Sequence, residues 1–486
     1  MNRPSEFDHA ANLLRSTLLF CMIGLTACGD KAPPAAAIVN APATARTTFV
    51  QLFEWKWPDI AEECEDFLGP AGYAAVQVSP PNEHVQGPAW WTRYQPVSYK
   101  LESRGGTREE FAEMVRRCRD AGVAIYGDAI INHMSYAGTG TGVAGSEFSE
   151  YTYVVPYSYD DFHHCGRYDD DDIRNYHDRW EVQNCELSNL TDLDTGNPEV
   201  QAKIAAFLND MLSLGVAGFR IDAAKHVSPE DIAGILQRLD REAHIYQEVI
   251  DRGGEPIKGS DYLGNGLVSE FKFGMAMFDA FSSGKLDGVA DIASREGFLP
   301  SEKAVVFIDN HDIQRGHAGA GDVLNYKKGP IYALANVFML AWPYGNPMVM
   351  SSYRFEDGDQ GPPASAPIDA GNAACNDEWV CEHRFPPIAG MVGFRNATDG
   401  APVSNWQVLS DSAIAFGRGD KGFVVINIGE APISATVATS MPAGNYCDVI
   451  AGCDSTPHVV EDDGSLQVSL SPMSAIAVHT GRSEQR

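Results

Sequence analysis

Arg220 and Asp222 stand two residues apart at the end of a short apolar stretch that begins at Val216. Alternate residues of a strand share a face, so the two side chains point the same way. A guanidinium beside a carboxylate is costly to desolvate at the end of an apolar strand unless it is used. Taken alone, the pair reads equally well as a structural ion pair. Three further stretches shift that balance: Asp128-Ala-Ile-Ile-Asn-His133, Tyr246-Gln-Glu248 and Phe307-Ile-Asp-Asn-His311-Asp312. Each is an apolar strand pattern ending in acids, amides or imidazoles. Carboxylates crowded at one mouth repel, which drives their protonation states apart and supplies an acid beside an ionised base or nucleophile. Splitting a glycosidic bond requires that combination. His133, His226 and His311 carry meaning only in this company, since a lone histidine is ordinarily a core or surface residue.

The elements around these clusters alternate in type. Strands are expected over 47–55, 73–78, 123–131, 216–221, 244–250 and 304–308, and helices over 60–68, 109–121, 200–214, 229–240, near 275–284 and over 330–341. Thr107 with Glu110 three residues on gives the 109–121 helix a capping box. This rhythm predicts a parallel α/β fold, and roughly eight such units favour a closed (β/α)8 TIM barrel over an open sheet. In such a barrel the working residues sit at the C-terminal ends of strands, where all four clusters fall. One connection is far too long for a βα unit, so a small inserted domain B is expected over 134–190, after the third strand and folded around Cys165 and Cys185. The barrel, domain A, would comprise 47–133 and 191–399. From 400 to 486 short alternating strands with turns predict a C-terminal all-β sandwich, domain C.

A net charge of −30 argues against nucleic acid and anionic membrane surfaces as partners. The apolar run Leu18–Leu25 is too short to span a membrane as a mature helix. It ends in Leu25-Thr-Ala-Cys28-Gly, which resembles a bacterial lipoprotein signal whose cysteine carries the lipid. Residues 1–28 therefore read as signal peptide and the Ala- and Pro-rich 29–46 as a tether. The protein is expected to be exported, anchored through Cys28 or secreted, and monomeric. Eight cysteines remain beyond Cys28, an even number that suits disulfides outside the cytoplasm. Cys375 with Cys381, and Cys447 with Cys453, look like local loop clips.

The four clusters match, in order, the four hallmark segments of the α-amylase family of glycoside hydrolases. The chain resembles its animal-type branch, which includes bacterial members and chloride-dependent enzymes. The likeness extends to Gln51-Leu-Phe-Glu-Trp-Lys-Trp57, Val76-Gln-Val-Ser-Pro-Pro81, Trp90-Trp-Thr-Arg-Tyr-Gln-Pro-Val-Ser-Tyr99, Val349-Met-Ser-Ser-Tyr353 and Ala415-Phe-Gly-Arg-Gly419. It implies endo-acting hydrolysis of α-1,4 linkages in starch, glycogen or maltodextrins by a retaining double displacement, with carboxyl groups about 5–5.5 Å apart. By that resemblance Asp222 is the nucleophile, Glu248 the general acid and then base, and Asp312 the group that binds and distorts the sugar. Glu248 then needs a raised pKa. Trp90, Trp91, Tyr94 and Gln95 would line the glucan cleft, where aromatic faces suit pyranose rings. His133, Arg220, Lys225, His226 and His311 complete the expected substrate contacts, Lys225 on the leaving-group side.

The family also implies calcium, held by Asn132, Asp192 and the main-chain carbonyls of Gln183 and His226, an oxygen donor set of the kind this ion prefers. Chloride-activated relatives hold their anion with an arginine, an asparagine and a second basic residue. Arg220 and Asn310 match the first two, but Met348 stands at the third, and a thioether cannot replace a cation. Weak or absent chloride dependence is the expectation. The expected disulfides are 64–118, 165–185, 375–381 and 447–453. Two alternatives remain: a glucan-transferring or short-maltodextrin enzyme on the same scaffold, and a non-catalytic surface glucan-binding lipoprotein. Gly140-Thr-Gly-Val-Ala-Gly145 has the GxGxxG spacing but opens no helix, and Asp169–Asp172 lacks the glycine and distal glutamate of an EF-hand. Gly316-His-Ala-Gly-Ala-Gly321 resembles the family's mobile glycine-rich loop, shorter here.

Overall fold

In the computed structural model, which describes residues 46–484 apart from 156, 370, 372–373 and 454–455, eight parallel strands close into a barrel. They are β1 (Phe49–Leu52), β2 (Ala75–Val78), β3 (Ala124–Ile130), β4 (Gly218–Asp222), β5 (His244–Gln247), β6 (Leu267–Ser269), β7 (Ala304–Val306) and β8 (Asn346–Ser351). Each pairs with its neighbours in chain order, and β8 closes on β1 with Phe49 opposite Met348. The expected signal peptide and nearly all of the tether, Cys28 included, lie outside the described residues.

Seven helices matter for the packing: α1 (Trp57–Glu63), α2 (Arg108–Asp120), α3 (Pro198–Ser213), α4 (Pro229–Leu236), α5 (Phe271–Ser283), α6 (Pro330–Ala341) and α7 (Pro386–Ala397). Five of them carry proline in the first turn, where its missing N–H costs no intrahelical bond. The α2 capping box forms as its sequence predicts, with Thr107 and Glu110 bonding each other's backbone. Phe111, Met114, Val115 and Cys118 fall on one face of α2 and are buried. Cys118 bonds Cys64, which ties α2 to the π-helical turn Cys64–Leu68 that continues α1.

Element ends shift by a few residues from the sequence reading. β5 stops at Gln247 and β7 at Val306, so Glu248 sits just past its strand and Asp312 in a short helical turn, His311–Gln314, beyond β7. Strand β6 was not anticipated. Its three residues follow Gly264 and Gly266, the latter at φ +154, and are too few to show a period.

After β3 the chain leaves the barrel along His133–Tyr136 and returns along Leu190–Asp192, antiparallel to it. The excursion starts and ends on one ladder, and Cys165–Cys185 closes its middle. Beyond α7 a four-stranded sheet faces a five-stranded one across Phe423, Val425, Leu466, Val468 and Val478. Strands Ala413–Arg418 and Gly422–Asn427 are buried along their whole length, because their other face packs on α6 through Phe416, Phe338 and Trp342. All eight cysteines expected to pair do so, as 64–118, 165–185, 375–381 and 447–453.

Candidate active site

The barrel interior carries a polar layer just below its C-terminal mouth. In the strand register Asp128 of β3 lies opposite Arg220 of β4, and Arg220 opposite Tyr246 of β5. Arg220 is buried, and its guanidinium gathers three carboxylates. Nη1 donates to Asp128 Oδ1 at 2.6 Å and to Asp222 Oδ1 at 2.7 Å, while Nη2 lies 2.6 Å from Glu248 Oε1. Asp128 is held further by the Tyr94 hydroxyl at 3.0 Å and the Gln77 amide at 3.2 Å. The second oxygen of Glu248 accepts the Ala223 N–H at 3.0 Å. Ala223 supplies that bond from a left-handed conformation, φ 47 and ψ 32, which costs a non-glycine residue about 1–2 kcal/mol. Local strain that places an N–H on a carboxylate marks a site whose surroundings over-determine the backbone.

Asp222, Glu248 and Asp312 line one cleft of about 880 Å³. Burial pushes the Asp222 carboxyl well up, Arg220 opposes it, and Glu248 and Asp128 add to the rise. Burial together with Glu248 pushes Asp312 up to about 8, again against Arg220. Asp128 is raised by burial and opposed by the same guanidinium. Burial thus raises Asp128, Asp222 and Asp312 alike while one cation opposes all three, a crowding that drives protonation states apart as acid–base chemistry at a glycosidic bond requires.

The three histidines are neutral. Burial pushes His133 down to about 4 and, with Lys225 adding, His226 down to about 3. Burial with Arg220 and Arg315 holds His311 well below its ordinary value. His133 Nε2 bonds the Tyr94 carbonyl at 3.0 Å and its Nδ1 faces the Asn132 amide at 3.3 Å, so both nitrogens are engaged within the protein. His226 Nδ1 donates to Val182 O at 3.1 Å, which leaves Nε2 free to accept. His311 receives the Gln51 amide on Nδ1 at 2.9 Å and sets Nε2 3.5 Å from Asp312 Oδ2. Its ring is stacked on Tyr94, centroids 5.0 Å apart.

Trp90, Trp91, Tyr94, Gln95, His133, Lys225, His226 and His311 all line the same cleft as the acids. The aromatic set divides: Trp91 is 38% exposed, whereas Trp90 and Tyr94 are buried. Arg220 is not part of the wall; it lies behind the carboxylates it pairs. Lys225 donates to Ile250 O at 3.1 Å and pairs with Glu255. Sequence reasoning missed Tyr176 and Glu255, which line the cleft near Lys225, and the part played by Asp128. Asp128 stood in a quoted cluster; Tyr176 and Glu255 lie in stretches with no period or spacing to mark them.

The expected calcium donors fall into two pairs. The ladder that sets His133 opposite Asp192 brings Asn132 beside Asp192, and the His226–Val182 bond brings Gln183 beside His226. Asp192 is buried, and burial pushes its carboxyl up to about 6 although His163 lies 2.7 Å away. Among the described residues no group of three or more His, Cys, Asp or Glu could hold a metal ion. At the expected anion position Arg220 is committed to carboxylates, and Asn310 accepts the Ile313 N–H as a helix cap. Met348 is buried in an apolar cluster with Phe49, Tyr246 and Phe307.

A family model described as the alpha amylase catalytic domain matches residues 90–249, and one for the alpha amylase C-terminal all-beta domain matches 406–481. The alpha-amylase of Streptomyces violaceus is 46% identical over 446 residues, spanning 90% of this chain and 76% of that protein. Alpha-amylase 1B of Homo sapiens is 44% identical over 483 residues, spanning 89% and 94%. The structure of wild-type alpha-amylase I from Eisenia fetida matches with a TM-score of 0.84 at 40% identity, covering 90% of this chain and 97% of that one. The same earthworm enzyme has been solved, as a variant, with maltohexaose.

Proposed function

The chain belongs to the α-amylase family and hydrolyses α-1,4-glucosidic linkages within glucans, and from that premise we propose which residues carry the reaction. Asp222 attacks the anomeric carbon while Glu248 gives its proton to the glycosidic oxygen, so the bond breaks as a covalent glycosyl-enzyme forms. Glu248, now ionised, takes a proton from water, whose oxygen displaces Asp222 and restores the original anomeric configuration. Asp312 and the neutral His311 hold the distorted sugar. Lys225 and His226 contact the departing chain. One observation carries this reading: Asp222 and Glu248 share the two ends of a single buried guanidinium, with Asp312 in the same cleft.

Chromatography of products from amylose tests it. Release of short linear oligosaccharides with new reducing ends, abolished in Asp222→Asn, supports hydrolysis. Longer or cyclic products without new reducing ends would make the protein a transferase, and binding without products would make it a glucan binder.

Calcium fits the donors present: Asn132, Asp192 and the carbonyls of Gln183 and His226 would hold it. The bound ion would supply charge to a buried carboxylate and tie the inserted segment to the wall that carries His226. Chloride does not fit, since Met348 and its apolar neighbours offer an anion no second cation. The four disulfides support export; the lipid anchor rests on the Leu25-Thr-Ala-Cys28-Gly motif alone, and Cys28→Ser should then release the protein from the envelope.

A further inference from the structure

One stretch of the cleft rim has no part in the chemistry described above. The wall beyond β5 and β7 is made by the loop that runs through Arg252 and Glu255 and by the loop Gly316–Gly321. Arg252 crosses between them, its Nη1 donating to the main-chain carbonyl of Gly319. Glu255, the acid that acts on Arg252, is paired with Lys225. The near end of the glycine-rich loop has separate anchors. His317 donates its N–H to Asp312 O at 2.9 Å, and its Nε2 lies 3.1 Å from Asp359 Oδ1. The His317 ring also meets Trp90 edge to face at 5.2 Å.

Between these anchors the backbone is in the left-handed region at Gly316, Ala318 and Gly319, φ 81, 54 and 63. Ala318 takes that conformation without glycine's freedom, and such a residue persists only where its surroundings hold it. Arg252, Ala318 and Gly319 all line the cleft, so the contact lies on the path of a bound chain.

We propose that Arg252 is a positioning residue that latches the far half of the Gly316–Gly321 loop to the Glu248 side of the cleft and so sets how tightly a glucan is held. The inference rests on the α-glucan reading above. With the latch closed, the wall at Ala318 and Gly319 is ordered before substrate arrives; without it, each binding event must order those residues. The Asp312 end stays fixed through His317 either way, so the effect falls on KM more than on kcat.

Arg252→Ala and Arg252→Lys in the full-length enzyme provide the test. For maltoheptaose, Arg252→Ala should raise KM about three- to tenfold, as expected for a lost charge-assisted hydrogen bond that is partly exposed, with a smaller fall in kcat. Arg252→Lys should recover most of the loss, because an ammonium can donate to the same carbonyl. Limited proteolysis should cleave within 316–321 faster in Arg252→Ala than in the parent protein. Parental KM and parental loop cleavage would overturn the proposal. So would a uniform fall in kcat at every chain length with a lowered Tm, which marks a general structural role. If the parent protein releases no sugar from amylose, the functional reading fails, and loop cleavage alone still decides the latch.

Discussion

Asp312 is the residue whose electrostatics can be read most directly, because burial and Glu248 push it the same way. Its carboxyl keeps a proton in the folded protein up to about 8, against an ordinary value of 3.8. The unfolded chain therefore loses this proton first as pH rises. The contribution to stability is complete below the unfolded value and disappears as pH climbs through the folded one. Asp312→Asn cannot ionise and escapes that loss. Its stability relative to the parent should improve between pH 5 and pH 8 by at least about 1 kcal/mol, measured by denaturant unfolding at both pH values. Its kcat should fall by orders of magnitude. A variant whose stability tracks the parent at both pH values would mean that Asp312 is ionised in the folded protein. Asp222 differs in kind, since Arg220 donates to it at 2.7 Å. The same guanidinium that makes a buried Asp222 carboxylate tolerable also favours its ionised form, and if Asp222 is the nucleophile as proposed, Asp222→Asn should lower kcat on the order of 10⁴-fold while leaving the fold intact.

At the scale of elements, the strands that carry the acids were legible and the segments that wall the cleft were not. β3, β4, β5 and β7 each show an apolar run ending in a polar cluster, and a strand end is what the chemistry needs. β6 has only Leu267–Ser269, too short for any period, so the sequence shows a gap where the barrel has a strand. The proposed catalytic trio came from matching segments; the gathering of Asp128, Asp222 and Glu248 on Arg220 follows from the register of β4 with β3 and β5, which no single strand displays. Tyr176 and Glu255 reach the cleft from irregular loops, whose direction depends on tertiary contacts such as the Arg179–Asp261 ion pair. The excursion between β3 and β4 also bears on calcium. It begins and ends on one short ladder, so the wall that carries His226 depends on the ladder's junction with the barrel. Removing calcium with a chelator should lower Tm by several degrees and reduce activity, with both restored by calcium and not by magnesium, which demands a tighter octahedron. Unchanged Tm and activity after exhaustive chelation would remove the ion from the account.

The whole molecule carries a net charge of −30, and its repulsion opposes the compact state at low ionic strength. Any sodium salt should therefore raise Tm, and most of the gain should come as the screening length falls to about 10 Å near 0.1 M. That general response can be mistaken for chloride activation, and the two separate by anion. A specific site would need cations facing the anion, yet Arg220 is occupied by Asp128, Asp222 and Glu248. Met348, across the barrel seam from Phe49, is buried among apolar side chains. Chloride and acetate at equal ionic strength should then give the same Tm and kcat values within about twofold, since neither anion gains a desolvated cation to bind. A many-fold gain in kcat specific to chloride would require Arg220 to release one of its carboxylates. The pH profile would then have to move as well, because the same guanidinium opposes the upward shifts of both Asp222 and Asp312.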